Sequence, residues 1–181
     1  MDYFIADPHF YDSLINILAD RPFRDVDEMN SNIIKSWNKK VKPIDKVYLI
    51  GDVANFRNTE YGDKNNRMLL VKSIIEQLHG YKILIYGNHD NWLNEYEWKS
   101  VGFDEVIKYP IVYNGFLILS HEPMFMNNHT PFINIFGHVH SNPIYTDCSQ
   151  HSYCVSVERI NYTPISFEEM RENILKAINK Q

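Results

Sequence analysis

Cysteine is scarce in this chain, with two residues in 181, too few for a disulfide framework. Cys148 and Cys154 flank an expected turn; they read as two thiols in a reducing compartment, with a local bridge as the alternative. No stretch is apolar for long enough to cross a bilayer. The first residues, Asp2-Tyr3-Phe4, start a strand pattern rather than a basic and apolar leader. A basic surplus is missing as well. The formal net charge of −5 excludes a broad, sequence-independent grip on DNA or RNA, though not a small anionic substrate held by a metal. Repeats, low-complexity tracts and linkers are absent too. These absences predict one domain over residues 1–181, cytoplasmic and without a membrane partner. Oligomeric state is not legible.

What is present is a strand-end pattern that recurs five times. Ile83-Leu84-Ile85-Tyr86 stops at Gly87 and delivers Asn88-His89-Asp90. Tyr3-Phe4-Ile5-Ala6 runs into Asp7-Pro8-His9, and Val47-Tyr48-Leu49-Ile50-Gly51 runs into Asp52. Phe116 to Ser120 runs into His121, and Ile133 to Gly137 runs into His138-Val139-His140. Each apolar run ends in a small residue followed by Asp, Asn or His, which is how ligands are gathered at one edge of a sheet.

The remaining elements follow from periodicity and capping. Asp25 and Glu28 form a capping-box pattern ahead of a helix with Val26, Met29, Ile33, Ile34 and Trp37 on one face, stopped at Pro43. A second helix over 66–79 is expected to bury Leu69, Leu70, Ile74, Ile75 and Leu78. A shorter one is expected over 95–101 and a weak strand over 104–107. Asn114-Gly115 signals a two-residue hairpin. Further strands are expected at 133–136 and 153–157, and Ser166 with Glu169 caps a last helix. Alternating strands and helices, then consecutive strands, predict two packed sheets with helices outside.

On the expected strand ends Asp7 and His9 lie two residues apart and should face the same way, as should His138 and His140. With Asp52, Asn88 and His121 they offer carboxylate, amide and imidazole donors without thiolate. That donor set suits manganese, iron, zinc or cobalt as a reactive centre. Seven donors are too many for one ion and fit two, with a shared carboxylate.

The ordered blocks Asp7-x-His9, Gly51-Asp52, Gly87-Asn88-His89-Asp90, His121 and Gly137-His138-x-His140 resemble those of the calcineurin-like metallophosphoesterases. The resemblance spans residues 3–157 and implies a four-layer α/β/β/α sandwich of two mixed sheets flanked by helices, without a cap domain. It implies Asp7, His9, Asp52 and His140 around a first metal and Asp52, Asn88, His121 and His138 around a second, Asp52 bridging. The ions would be manganese first, with iron, zinc, cobalt or nickel as alternatives. A hydroxide between the metals would then attack phosphorus. His89 would contact phosphate and protonate the leaving oxygen, with Asp90 orienting it and raising its pKa. For Asp90 a helix N-cap is the other reading.

Arg21-Pro22-Phe23, Glu28-Met29-Asn30 and Trp37-Asn38 resemble a branch of small family members that often carries histidine where this chain has Asp12. That departure weakens any substrate borrowed from the branch. Arg21 is a candidate phosphate contact or an anchoring salt bridge. Arg57 and Lys64 are candidate substrate contacts; His79, His129 and His151 read as ordinary histidines, and Trp92 and Tyr96 as core, with stacking on a nucleobase as the alternative. The expected activity is hydrolysis of a phosphodiester, a nucleotide or cyclic nucleotide among the candidates. A phosphomonoesterase or nucleotide pyrophosphatase is the alternative, and a non-catalytic protein-binding scaffold the remaining one.

Overall fold

The computed structural model describes residues 1–57, 61–127 and 129–179. In the first sheet β1 (Asp2–Ile5), β2 (Lys46–Ile50), β3 (Tyr81–Ile85) and β4 (Glu105–Ile107) run parallel in the order β4-β3-β2-β1. A short strand, β9 (Ile165–Ser166), closes the far edge antiparallel to β1. The second sheet holds β5 (Ile111–Tyr113), β6 (Leu117–Ser120), β7 (Ile133–Phe136) and β8 (Ser152–Cys154), parallel except for β5. Two mixed sheets with flanking helices are the α/β arrangement that the alternation predicts.

The central strands of the first sheet are covered on both faces, so they read as continuous apolar runs. Tyr3, Ile5, Val47, Leu49 and Leu84 turn toward the helices. Phe4, Ala6, Tyr48, Ile50, Ile83 and Ile85 turn the other way and meet Leu117, Leu119, Ile135 and Tyr153 of the second sheet. Tyr113 of β5 reaches across that seam, edge-on to Phe4 and Tyr48, and its hydroxyl donates to Asp2 at 2.7 Å.

Helix α1 (Ile15–Leu18) is one short turn that exposes Ile17 and Leu18. The outer layer contains α2 (Val26–Lys40), α3 (Lys64–Ile75) and α4 (Glu95–Ser100). Met29, Ile33 and Trp37 are the inward stripe of α2, as the spacing predicts. Only half of the expected capping box forms: Asp25 accepts from Glu28 N–H, but the Glu28 carboxylate turns to Arg24 N–H. The box at Ser166 and Glu169 is complete and starts α5 (Phe167–Ile178), whose Met170 and Ile174 join the core between the sheets.

Five expectations need correction. Tyr96, on α4, is 83% exposed, and Trp98 is the buried residue of that helix. Helix α3 begins under Asp63 and buries Val71, so Leu69, about 200° away around the helix, is exposed rather than buried. Tyr113 pairs with Leu117, making the hairpin loop three residues, with Asn114 and Gly115 both left-handed. The strand expected over 153–157 ends at Cys154, and a 3-10 turn follows at Val157–Ile160. Strand β9 has no apolar run of its own and was not expected. Both cysteines are free thiols, and no helix among the described residues is long and apolar enough to cross a membrane.

The site-bearing strands β1, β2, β3, β6 and β7 share one direction within their sheets, so their ends form one edge, the usual place for ligands in such sheets. The sheets also join there: Ala6 N–H donates to Val155 O at 2.8 Å and Val157 N–H to Ala6 O at 3.0 Å. Trp37 is fully buried and donates from Nε1 to His79 O at 2.9 Å, tying α2 to the turn before β3. Trp37→Ala is expected to lower the unfolding free energy by about 3–5 kcal/mol in denaturant titration.

Candidate metal centre

The strand ends approach one another more closely than side chains permit. Gly51 has φ +83, and a Cβ there would lie 2.6 Å from Gly87 Cα; a Cβ on Gly87 would lie 2.6 Å from the Asp52 nitrogen. Gly87 itself is not left-handed. Its lack of a side chain makes room for Asp52 rather than sharpening a turn.

Five candidate ligands stand on left-handed backbone: Asp7 (φ 59), His9 (50), Asp52 (56), His138 (69) and His140 (47). Such conformations are uncommon for residues with a Cβ and cost roughly 1–3 kcal/mol each unless the surroundings impose them. Asp7 and His9 therefore do not meet through the pleat of a strand, as their spacing suggests; β1 has already ended at Ile5. The same holds for His138 and His140.

Two groups of donors result. Ligand atoms of Asp7, His9 and His140 lie within 4.8 Å of one another, and so do those of Asp52, His121 and His138. Asp52 stands between the groups, its Oδ2 3.3 Å from His9 Nε2 and 3.4 Å from His121 Nε2. Asn88 Oδ1 lies 2.9 Å from His121 Nε2 and 3.0 Å from His138 Nδ1. All seven residues expected from the sequence are brought together.

The donor chemistry fits a cation. His121 Nδ1 faces Ile50 O at 2.9 Å, so the proton of a neutral ring sits there and Nε2 presents a lone pair. That lone pair points at a second acceptor, Asn88 Oδ1, and lies 3.2 Å from His138 Nδ1. His9 is buried, and neither ring nitrogen has a hydrogen-bond partner among the described residues, although carboxylates lie 3.3 and 3.5 Å away. Burial opposes charge on His9 and His121, but the facing carboxylates outweigh it and push both pKa values up to about 9. Burial also opposes charge on Asp52, yet the two imidazoles hold it well below the usual carboxylate range. The cluster is built to hold positive charge, as protons or as metal ions that displace them.

Two supporting roles were not evident from the sequence. Glu158, on the 3-10 turn, accepts from His140 Nδ1 at 3.0 Å, the carboxylate–imidazole support that leaves the other nitrogen for a metal. Asp12 is buried, faces His9 Nδ1 at 3.5 Å, and accepts from Asn55, Leu14 N–H and Arg57 Nε. Asp12 stood out in the sequence only as a departure from the branch pattern, and for Glu158 the sequence carries no signal, since its partners are remote in the chain.

Arg21 is an anchor. Its guanidinium is buried and donates to Asp7 O, Pro8 O, Met29 Sδ and Glu158, which uses all five N–H groups and leaves none for a phosphate. Arg57 instead reaches the site, with Nε on Asp12 and a third of its side chain exposed. Lys64 pairs with Glu97.

Asp90 does not support His89. Its carboxylate accepts from Asp52 N–H (2.8 Å), Val53 N–H (2.9 Å) and Gly87 N–H (2.8 Å), so it clamps the ends of β2 and β3. Burial and the Asp52 charge push its pKa up to about 7, against those three donors. Without a carboxylate at its ring, His89 is shifted the other way from expectation. Burial lowers its pKa, as do the His9 and Arg57 cations, while Asp52 opposes them. Its backbone N–H donates to Asp52 Oδ1 at 2.9 Å, and its ring makes no hydrogen bond among the described residues.

Two open clefts meet this edge. One, of about 560 Å³, is lined by His9, Arg57, His89, His138, His140, the 141–143 stretch and Tyr145. The other, of about 530 Å³, is lined by Asn88, His121, Tyr86, Lys108, Tyr109 and Met124. A larger cleft between Phe23, Lys39 and Thr163 shares none of the candidate ligands.

The sequence profile of the calcineurin-like phosphoesterases matches residues 3–180. The uncharacterized protein MJ1445 of Methanocaldococcus jannaschii is 32% identical over 185 residues, covering 98% of this chain and 91% of its own. The crystal structure of AQ665 from Aquifex aeolicus, a protein of unknown function, superposes with a TM-score of 0.66 at 29% identity, covering 95% of this chain and 98% of that one. The Pseudomonas putida nuclease MPE shares the fold at 18% identity, with a TM-score of 0.51, covering 77% of this chain and 61% of that one.

Glu158→Gln keeps the size of the side chain and removes the charge that faces His140 and Arg21. It is expected to weaken metal binding about 10–100-fold in calorimetric titration, the usual loss for a support of this kind. Unchanged affinity would assign Glu158 to folding alone.

Proposed function

The chain belongs to the calcineurin-like phosphoesterase family, and from that premise we propose that it hydrolyses phosphodiesters at a centre of two metal ions. That it is a metal-dependent phosphoesterase follows from the family and from the two donor groups. The diester reading is carried by one observation: clefts of similar size open on both sides of the donor edge. A monoester has one organic arm to place, whereas a diester has two. The Pseudomonas putida neighbour is a nuclease, which agrees with this reading.

Asp7, His9, Asp52 and His140 would hold one ion and Asp52, Asn88, His121 and His138 the other. The absence of thiolate donors favours manganese, with iron, zinc, cobalt or nickel as alternatives. When bound, the ions supply Lewis acidity and a water activated for attack on phosphorus. The chain's own groups do the rest. Asn88 and Arg57 face the clefts and position the phosphate. His89, half-buried at the cleft with its main chain tied to Asp52, donates a proton to the leaving oxygen from its imidazolium form, which its lowered pKa favours only toward acid pH.

The reading is tested with protein loaded with Mn2+, on bis(p-nitrophenyl) phosphate and p-nitrophenyl phosphate. A higher kcat/KM on the diester is expected. Preference for the monoester would favour a phosphomonoesterase, and no metal-stimulated turnover of either compound would favour a binding scaffold. Asp52→Asn, which removes the carboxylate charge between the two groups, is expected to abolish turnover and lower metal content. His89→Ala should retain metal and slow substrates with poor leaving groups about 10²–10⁴-fold, sparing p-nitrophenyl esters. Equal slowing of both would make His89 a phosphate contact instead.

A further inference from the structure

Asn88 and His89 are neighbours in sequence but line opposite clefts. His89 faces the cleft of His9, Arg57 and His140, and Asn88 faces that of His121, Lys108 and Tyr109. The two sides of the centre are therefore not equivalent, because only one holds the group proposed to protonate the leaving oxygen. We propose that the Lys108–Tyr109 cleft binds the arm of the diester that keeps the phosphate, and that this arm is a nucleoside. The assignment rests on the diester reading above.

The cleft's walls have the chemistry of a nucleoside. The Tyr86 ring is fixed, with its hydroxyl donating to Leu93 O at 3.0 Å and its main chain bonded to Ile107 O at 2.9 Å. Lys108 Nζ lies 5.7 Å from the centroid of that ring, and among the described residues Lys108 makes no ion pair. Tyr109 beside it is 76% exposed, and Met124 opposite is 43% exposed. Planar bases stack on such rings with little regard to sequence. Asn91 and Lys108 supply donors and Glu122 an acceptor, which suits the mixed polar edges of a base and the hydroxyls of a sugar.

The other cleft contains one tyrosine, Tyr145, whose ring packs against Phe136 with centroids 6.4 Å apart; its other walls mix aliphatic residues such as Ile15, Leu18 and Val139 with Arg57, Ser141 and Asn142, so it lacks the pair of tyrosines that lines the first. It suits a leaving arm that is held briefly. In the balanced step, water adds to phosphorus and the P–O bond to that arm breaks. The departing oxygen takes a proton, and the phosphate stays on the nucleoside as a monoester.

Two substrates with the same leaving group isolate the retained arm: thymidine 5′-(p-nitrophenyl phosphate) and methyl p-nitrophenyl phosphate. Protein loaded with Mn2+ is expected to prefer the thymidine compound in kcat/KM by about tenfold, the scale of one base–aromatic stack. Lys108→Ala and Tyr109→Ala, both at exposed positions, should each reduce that ratio several-fold, and thymidine 5′-phosphate should inhibit the variants more weakly. A ratio near one in the unaltered protein, or a ratio unchanged in both variants, overturns the assignment alone. Turnover of neither compound removes the diester reading and the assignment together.

Discussion

The three hydrogen bonds from the amides of Asp52, Val53 and Gly87 to the Asp90 carboxylate set the distance between the ends of β2 and β3. A carboxylate taken wholly out of water is costly unless its oxygens are satisfied, so Asp90 can sit there only while those amides converge on it. The same convergence places Gly51 against Gly87 and leaves no room for a Cβ on either. It also holds Asp52 in its left-handed conformation, where its Oδ2 meets both His9 and His121. Trp98 covers the clamp from the helix side, its Nε1 donating to Asp90 O at 3.0 Å. Strain at a ligand-bearing residue persists because buried contacts leave it no alternative.

The other half of the edge has an independent clamp. Arg21 reaches the carbonyls of Asp7 and Pro8 with one part of its guanidinium and Glu158 with another, and Glu158 in turn fixes His140. Breaking a buried pair of this kind leaves a charge without a partner and costs more than the pair is worth as a stabilising contact. Its value here is placement: it links the Asp7–His9 loop to the residue that faces it from the second sheet. Asp12 does the same on a smaller scale, backing His9 while holding Arg57 at the cleft. Each donor group is thus braced from behind by a carboxylate that contributes no ligand atom to it.

What the sequence made legible was local. Apolar runs that stop at a small residue and deliver Asp, Asn or His identified five strand ends, because burial on both faces forces continuous apolar strands. The helical stripe of Met29, Ile33 and Trp37 and the capping box at Ser166 were legible because one-sided burial of a helix and capping of its first turn are written at fixed short spacings. The braces were not, since Arg21 and Glu158 lie 137 positions apart and only the meeting of the two sheets joins them. Asp90 was misread through proximity. Adjacent residues in an irregular loop point different ways, and Asp90 faces inward to amides while His89 faces the cleft. Leu69 shows the limit of apolar spacing, because Val71 competed for the inward position and took it.

Burial also divides the labour among the donors. Asp7, His9, Asp52 and His121 are each at most 5% exposed, so they can influence a substrate only through whatever cation they hold. Asn88 and His138 are exposed and His89 half-buried, which makes these, with the partly exposed Arg57, the groups of the edge that a phosphate can touch. A chain with a formal net charge of −5 repels anions at long range. Its site must therefore draw a phosphoester by local positive charge, over distances shorter than about 10 Å at moderate salt. The buried carboxylates that would repel the substrate are the same groups that concentrate cations beneath it. An acidic protein can in this way present an anion-binding edge without a basic surface.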